Sequence, residues 1–295
     1  MSVDASALAA QAYGAWHGGD LADMRRGFDE MLPRALSEST VEDGEVGGVT
    51  GRWVGEAHRT DSVVLYLHGG GFILGSARGY EGVASRIALA SGSRVFVPDY
   101  RLAPENPFPC ALVDAVAAYD GLIGEVGVNP RELVVAGDSA GGGLALSLLQ
   151  AIGDRNGAIP AGGVLWSPFC DLSLSGSSIE TAAGVDPVST RASAVQMATA
   201  YLGELDTADP RASALFGDFA RLPKLLIQVG TNEILLDDAI RVAENARNAG
   251  VEVDLQISYG MFHVFQMFAD VLPAAQRAID EVGTFIRHQT GRANR

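Results

Sequence analysis

Cysteine is scarce: there are two, Cys110 and Cys170, in 295 residues. Two is too few for a disulfide framework, and their spacing matches no zinc-ligand pattern, so both read as small buried hydrophobes. Lysine is scarcer still. Lys224 is the only one, which excludes chemistry that needs several lysines. Positive charge is short altogether, 21 Lys+Arg against 36 Asp+Glu for a formal net charge of −15. A field of that sign repels phosphate backbones and anionic lipid, so nucleic acid and membrane surfaces are poor partners. No apolar run approaches the roughly 18 residues of a spanning helix, so no membrane insertion is expected. The opening Met1-Ser2-Val3-Asp4-Ala5-Ser6 carries no basic region ahead of an apolar one, which speaks against a secretory signal and for a cytoplasmic protein. What is plentiful is apolar residue, 47% of the chain against 19% charged. That is enough to bury a large core without staples, and it excludes intrinsic disorder.

Residues 1 to about 45 read as helices. Ala9, Ala12, Tyr13 and Trp16 recur at helical spacing, as do Met24, Phe28, Met31 and Leu32, with Gly18-Gly19-Asp20 breaking the two runs. From about residue 50 the pattern becomes strand, turn, helix, repeated. Short apolar runs at Val63–Leu67, Val95–Val97, Leu133–Ala136, Val164–Trp166, Leu225–Val229 and Val253–Ile257 alternate with amphipathic stretches such as Leu112–Ile123, Leu144–Ile152 and Ala239–Ala249. This alternation predicts an α/β fold with an open, mainly parallel sheet. From about 171 to 215 the alternation lapses: Ser and Gly abound, no strand is evident, and a helical run follows at Ala192–Leu202. Ligands in open α/β sheets sit beyond the carboxyl ends of the strands, so an insertion placed there could cover a pocket.

Gly137-Asp138-Ser139-Ala140-Gly141 follows the strand Leu133–Ala136 and opens a helix. This is G-x-S-x-G in the strand–turn–helix context of a nucleophile elbow, where a tight turn strains the serine and leaves no room for flanking side chains. A Gly-rich helix start that binds phosphate is the competing reading, but Gly-Lys-Ser/Thr and a regular Gly-x-Gly-x-x-Gly are both missing. His68-Gly69-Gly70-Gly71-Phe72 follows the strand Val63–Leu67. Its glycines can turn main-chain N–H groups toward one point, so Gly69, Gly70 and Gly71, joined by Ala140, are the expected oxyanion donors. His68 reads as a structural member of that loop, and Asp138 as structural, its side chain turned away from the reacting centre.

Five histidines are available: His17, His58, His68, His263 and His288. His263 lies in a loop after a late strand, where a general base belongs; the others read as surface or packing residues. An orienting acid should fall between serine and histidine, after another strand. Glu233, Asp237 and Asp238 are candidates. Glu233 is nearest the strand end, whereas Asp237 and Asp238 fall at a helix start, where a capping or dipole role explains them. The chain order Ser139, Glu233, His263 is that of α/β-hydrolases.

Together, His68-Gly69-Gly70-Gly71, Asp99-Tyr100-Arg101-Leu102-Ala103-Pro104-Glu105, Gly137-Asp138-Ser139-Ala140-Gly141-Gly142 and His263 resemble the bacterial hormone-sensitive-lipase-like carboxylesterases of the α/β-hydrolase superfamily. The likeness covers about residues 50 to 290. It implies an eight-stranded, mostly parallel sheet flanked by helices, with a catalytic core of residues 46–170 and 216–295 and a helical cap of 1–45 and 171–215. It implies hydrolysis of a small-molecule ester with no metal and no cofactor. Most relatives carry Asp-Pro-Leu where this chain has Glu233-Ile234-Leu235; a subgroup that resembles this chain uses Glu, which favours Glu233 over Asp237. Homodimerisation through the last strand or helix is common in similar proteins.

The expected pocket is apolar, with Phe72, Trp166, Phe169, Met197, Tyr201, Met261, Phe262 and Phe265 as candidate lining, each also explicable as core. Short to medium acyl esters are the expected substrates. An acetyl-ester hydrolase, a lactonase or an amidase would use the same triad, and a small-molecule receptor without turnover is the reading from a different class.

Overall fold

A computed structural model describes residues 4–14, 20–56 and 62–292. Eight strands form one sheet: β1 (Val41–Val46), β2 (Val49–Val54), β3 (Val63–Leu67), β4 (Arg94–Pro98), β5 (Leu133–Asp138), β6 (Gly162–Trp166), β7 (Leu225–Asn232) and β8 (Val253–Phe262). Their spatial order is β1-β2-β4-β3-β5-β6-β7-β8. β2 pairs antiparallel with β1 and β4. Every pair from β4 to β8 is parallel. Central strands β3, β5 and β6 are buried along their whole length, which is why they read as unbroken apolar runs.

The helices are α1 (Ala5–Gly14), α2 (Leu21–Met31), α3 (Glu81–Ser91), α4 (Cys110–Gly124), α5 (Ser139–Asp154), α6 (Ser178–Thr181), α7 (Arg191–Leu202), α8 (Leu236–Asn248) and α9 (Pro273–Gln289). α3 packs on α9, and α4 on α5. Asp20 starts α2 with a capping box, its carboxylate accepting from the Asp23 N–H, so the expected break is a helix cap. Trp16, Gly18 and Gly19 lie outside the described residues. The 171–215 interval carries α6 and α7 and no strand. No described helix is long and apolar enough to cross a membrane.

The helical reading of residues 1 to about 45 runs too far. Val41–Val46 is strand β1, paired residue for residue with β2. Its sequence Val-Glu-Asp-Gly-Glu-Val is polar because it sits at the sheet edge, with only Val46 fully buried. β8 also outlasts its apolar run by five residues, ending at Phe262, and this brings His263 directly onto a strand end.

Candidate active site

β5 delivers Ser139 to the carboxyl edge of the sheet, and α5 begins on that residue. Its φ is 52°, a left-handed conformation that costs a non-glycine residue on the order of 1–3 kcal/mol. The flanking glycines follow from close backbone approach. A Cβ on Gly137 would strike the carbonyl oxygens of Gly141 and Leu67, and one on Gly141 those of Leu67 and His68.

β7 and β8 are parallel neighbours, and a register shift near Gly230 leaves Asn232 opposite Phe262. The next residue on each is Glu233 and His263, so the two side chains leave the sheet together. His263 Nδ1 lies 2.8 Å from Glu233 Oε2, and His263 Nε2 lies 2.9 Å from Ser139 Oγ. Glu233 is fully buried. Its Oε1 accepts from Ser167 Oγ at 2.8 Å and from the Gly230 N–H at 2.7 Å, so one carboxylate oxygen is anchored while the other meets the imidazole. Ser167 Oγ also accepts from the Val264 N–H at 3.2 Å, tying the acid loop to the histidine loop. Burial alone would lower the His263 pKa; the hydrogen bond and charge of Glu233, with Asp186 and Asp138, outweigh it and raise the pKa above its ordinary value.

The other acid candidates are engaged elsewhere. Asp237 Oδ2 accepts from the Ser178 N–H at 2.9 Å. Asp238 Oδ2 accepts from Cys170 and Asp171 N–H groups, both at 2.8 Å.

After β3 the chain makes its glycine turn, with Gly70 at φ 111° and Gly71 at φ 63°. The N–H groups of Gly70, Gly71 and Ala140 bond to no other described residue. Gly69 is a correction. Its N–H donates to Asp138 Oδ1 at 3.0 Å and so is already taken. The Asp138 carboxylate is bound within a buried cluster of Tyr66, Tyr80 and the Gly69 N–H. It borders the cavity beside Ser139, accepts from Tyr66 Oη at 2.8 Å and Tyr80 Oη at 3.0 Å, and is pushed up by burial to a pKa of about 6. His68 is buried and stacked on Tyr100 with centroids 4.2 Å apart; burial lowers its pKa to about 4, as suits a neutral packing residue. His288 is exposed on α9, and His17 and His58 lie outside the described residues. Both cysteines are free, with Cys170 buried. Among the described residues no group of three side chains could hold a metal ion.

A cavity of about 50 Å³ adjoins Ser139 and His263. Tyr13, Phe28, Leu74, Tyr80, Val188, Met197, Val264 and Met267 form its apolar wall. Of the expected lining residues only Met197 is there. Phe72 and Tyr201 stack on each other, centroids 3.7 Å apart and ring planes nearly parallel. Trp166 meets Tyr66 edge-on at 6.0 Å, and Phe262 meets Phe268 edge-on at 5.3 Å. Phe169 and Phe265 are buried, and Met261 packs against the core. Sequence reasoning passed over Tyr13 and Phe28, seen only as helical periodicity, and Ser167, whose one signal is its place just after β6.

Geometry of this kind defines an α/β hydrolase, and residues 64–267 match the model of a family described by the alpha/beta hydrolase fold. An acetyl-hydrolase of Streptomyces hygroscopicus is 40% identical over 94% of this chain and 93% of its own. An esterase of Acinetobacter venetianus is 33% identical over 81% and 79%. A crystal structure of an esterase from the bacterial hormone-sensitive lipase family superposes with a TM-score of 0.94 at 38% identity, covering 99% of this chain and all of that one. The chain belongs to that family of ester hydrolases.

Proposed function

We propose that the protein hydrolyses short-chain carboxylic esters, acetyl esters foremost, through a Ser139–His263–Glu233 triad and an acyl-enzyme. The observation that carries this reading is the unbroken hydrogen-bond path from Ser139 Oγ through both ring nitrogens of His263 to Glu233. His263 Nε2 takes the Ser139 proton as Oγ attacks the ester carbonyl carbon. Negative charge develops on the carbonyl oxygen and is met by the N–H groups of Gly70, Gly71 and Ala140. The tetrahedral adduct collapses, the C–O bond breaks, and the alcohol leaves with the proton from Nε2. Water then gives a proton to Nε2 and attacks the acyl carbon; the bond from that carbon to Oγ breaks, Oγ takes the proton from Nε2, and the carboxylic acid is released. Glu233 keeps the Nδ1–H tautomer and stabilises the imidazolium.

The small, mostly apolar cavity beside Ser139 suits a short acyl group. The name of the Streptomyces relative, acetyl-hydrolase, points the same way. On this reading residues 1–40 and 171–215 form a cap, which contributes Tyr13, Phe28, Val188 and Met197 to the wall.

A nitrophenyl ester series from acetate to octanoate, run on the wild type and Ser139→Ala, tests the proposal. The expected result is best turnover on acetate and near-complete loss in Ser139→Ala. Stoichiometric labelling of Ser139 by a fluorophosphonate separates an enzyme from a receptor. Maximal turnover on long chains, or activity surviving in Ser139→Ala, overturns the reading.

A further inference from the structure

Ile234, the residue that follows Glu233, is held at both of its main-chain polar groups from outside its own loop. Ile234 donates its N–H to Asp186 Oδ2 at 2.9 Å, and its carbonyl accepts from Ser178 Oγ at 2.6 Å. Both partners come from the 171–215 interval. Asp186 is itself buried and, among the described residues, makes no salt bridge. Its second oxygen, Oδ1, accepts from the N–H groups of Val188 at 2.8 Å and Ser189 at 2.9 Å, and those two residues line the cavity beside Ser139. One carboxylate therefore folds part of the pocket wall and holds the acid-bearing loop. A buried carboxylate without a cation is costly; three amide donors offset that cost.

We infer that Asp186 is a positioning residue for the Glu233–His263 pair, fixing the acid loop through Ile234 and presenting a further negative charge to the imidazolium that forms at His263. The inference rests on the triad reading above. Three carboxylates raise the His263 pKa by their charge: Glu233 from the β7–α8 loop, Asp186 from the cap interval and Asp138 from the end of β5, and Tyr13 of α1 lines the same cavity. Burial leaves the Asp186 pKa raised, and His263 and the three amides offset part of that rise, so the charge of Asp186 and that of the imidazolium favour each other.

Asp186→Asn is the informative substitution. Its amide oxygen can keep the Val188 and Ser189 donors, while an amide nitrogen replaces the acceptor that faces Ile234. Displacing a catalytic loop by as little as 1 Å can cost on the order of a hundredfold. With nitrophenyl acetate as substrate, the expected result is a fall in kcat of about ten- to a hundredfold and little change in KM. The acid limb of the kcat/KM profile should move to lower pH, a shift that a purely structural role would not give. Ser178→Ala, which frees the Ile234 carbonyl without changing charge, should lower kcat less and leave the limb in place. A folded Asp186→Asn protein with wild-type kcat and an unmoved limb overturns the inference, and so does a loss confined to KM. Should Asp186→Asn fail to fold, Ser178→Ala decides, and an unchanged kcat there overturns it. Ser139→Ala run alongside keeps the two readings apart. Activity surviving in Ser139→Ala defeats the triad, whereas an inactive Ser139→Ala beside a normal Asp186→Asn defeats only the role of Asp186.

Discussion

Replacing Glu233 by glutamine should damage the enzyme more than replacing it by alanine. The reason lies in the two oxygens of Glu233. Oε1 accepts from the Gly230 N–H at 2.7 Å and from Ser167 Oγ at 2.8 Å, while Oε2 faces His263 Nδ1 at 2.8 Å. A glutamine must keep its oxygen at the first position, since an NH2 there would meet the Gly230 N–H donor to donor. Its NH2 then faces Nδ1, which must become an acceptor. The ring proton moves to Nε2, 2.9 Å from Ser139 Oγ, and the serine loses the acceptor that activates it. Locking the wrong tautomer of a triad histidine costs on the order of 10³–10⁴ in kcat, or about 4–5.5 kcal/mol. Alanine leaves a gap that water can fill, and the histidine keeps access to both tautomers. The assay is steady-state hydrolysis of nitrophenyl acetate, with a thermal melt to show that each variant folds. Glu233→Gln turnover within about tenfold of wild type would refute the tautomer argument. Asp237→Ala should lose less than either; if it loses more, the acid is Asp237.

Met197→Ala should raise kcat/KM for hexanoyl over acetyl esters, because the Met197 side chain rests on Gly71, where an added Cβ would come within 2.7 Å of Met197 Cγ; an unchanged ratio refutes its place in the acyl wall. Arg25 of α2 donates to the Ile73 and Ala103 carbonyls at 2.8 and 3.0 Å and to both oxygens of Glu105, so Arg25→Ala should destabilise by about 1–3 kcal/mol, read as a lower Tm that Arg25→Lys does not restore. Burial raises the Asp238 pKa to about 7 from 3.8. The folded state therefore holds a proton between those values that the unfolded state has lost, and stability falls as pH rises through them. Asp238→Asn keeps an oxygen for the Cys170 and Asp171 N–H groups, so its Tm should fall less than that of the wild type between about pH 5 and pH 8; parallel curves would refute the assignment.

The buried strands were legible because burial on both faces leaves an unbroken apolar signature, and β3 runs over Val63–Leu67 as its sequence suggests. β1 was not, because an edge strand with one buried residue has no such signature. Nor was the full length of β8, where burial alternates and Tyr259 is 93% exposed. The meeting of Ser139, Glu233 and His263 could be foreseen from chain order and strand ends, since parallel strands put their carboxyl ends on one edge. Gly69 could not, because its N–H is claimed by Asp138, a side chain distant in sequence. The pocket was least legible. Residue type does not separate a wall from a core, so Phe72 and Trp166 were expected in the wall while Tyr13 and Phe28 occupy it.

Tyr13 and Phe28 carry a broader consequence. They come from α1 and α2, before the first strand, whereas Ser139, Glu233 and His263 follow the ends of β5, β7 and β8. On the proposed reading, part of the pocket wall is thus written in a stretch of chain separate from the triad. Mutational drift in the leading helices can redraw the set of accepted molecules while the reaction stays the same, which lets a lineage built on this scaffold change its diet without reinventing its nucleophile.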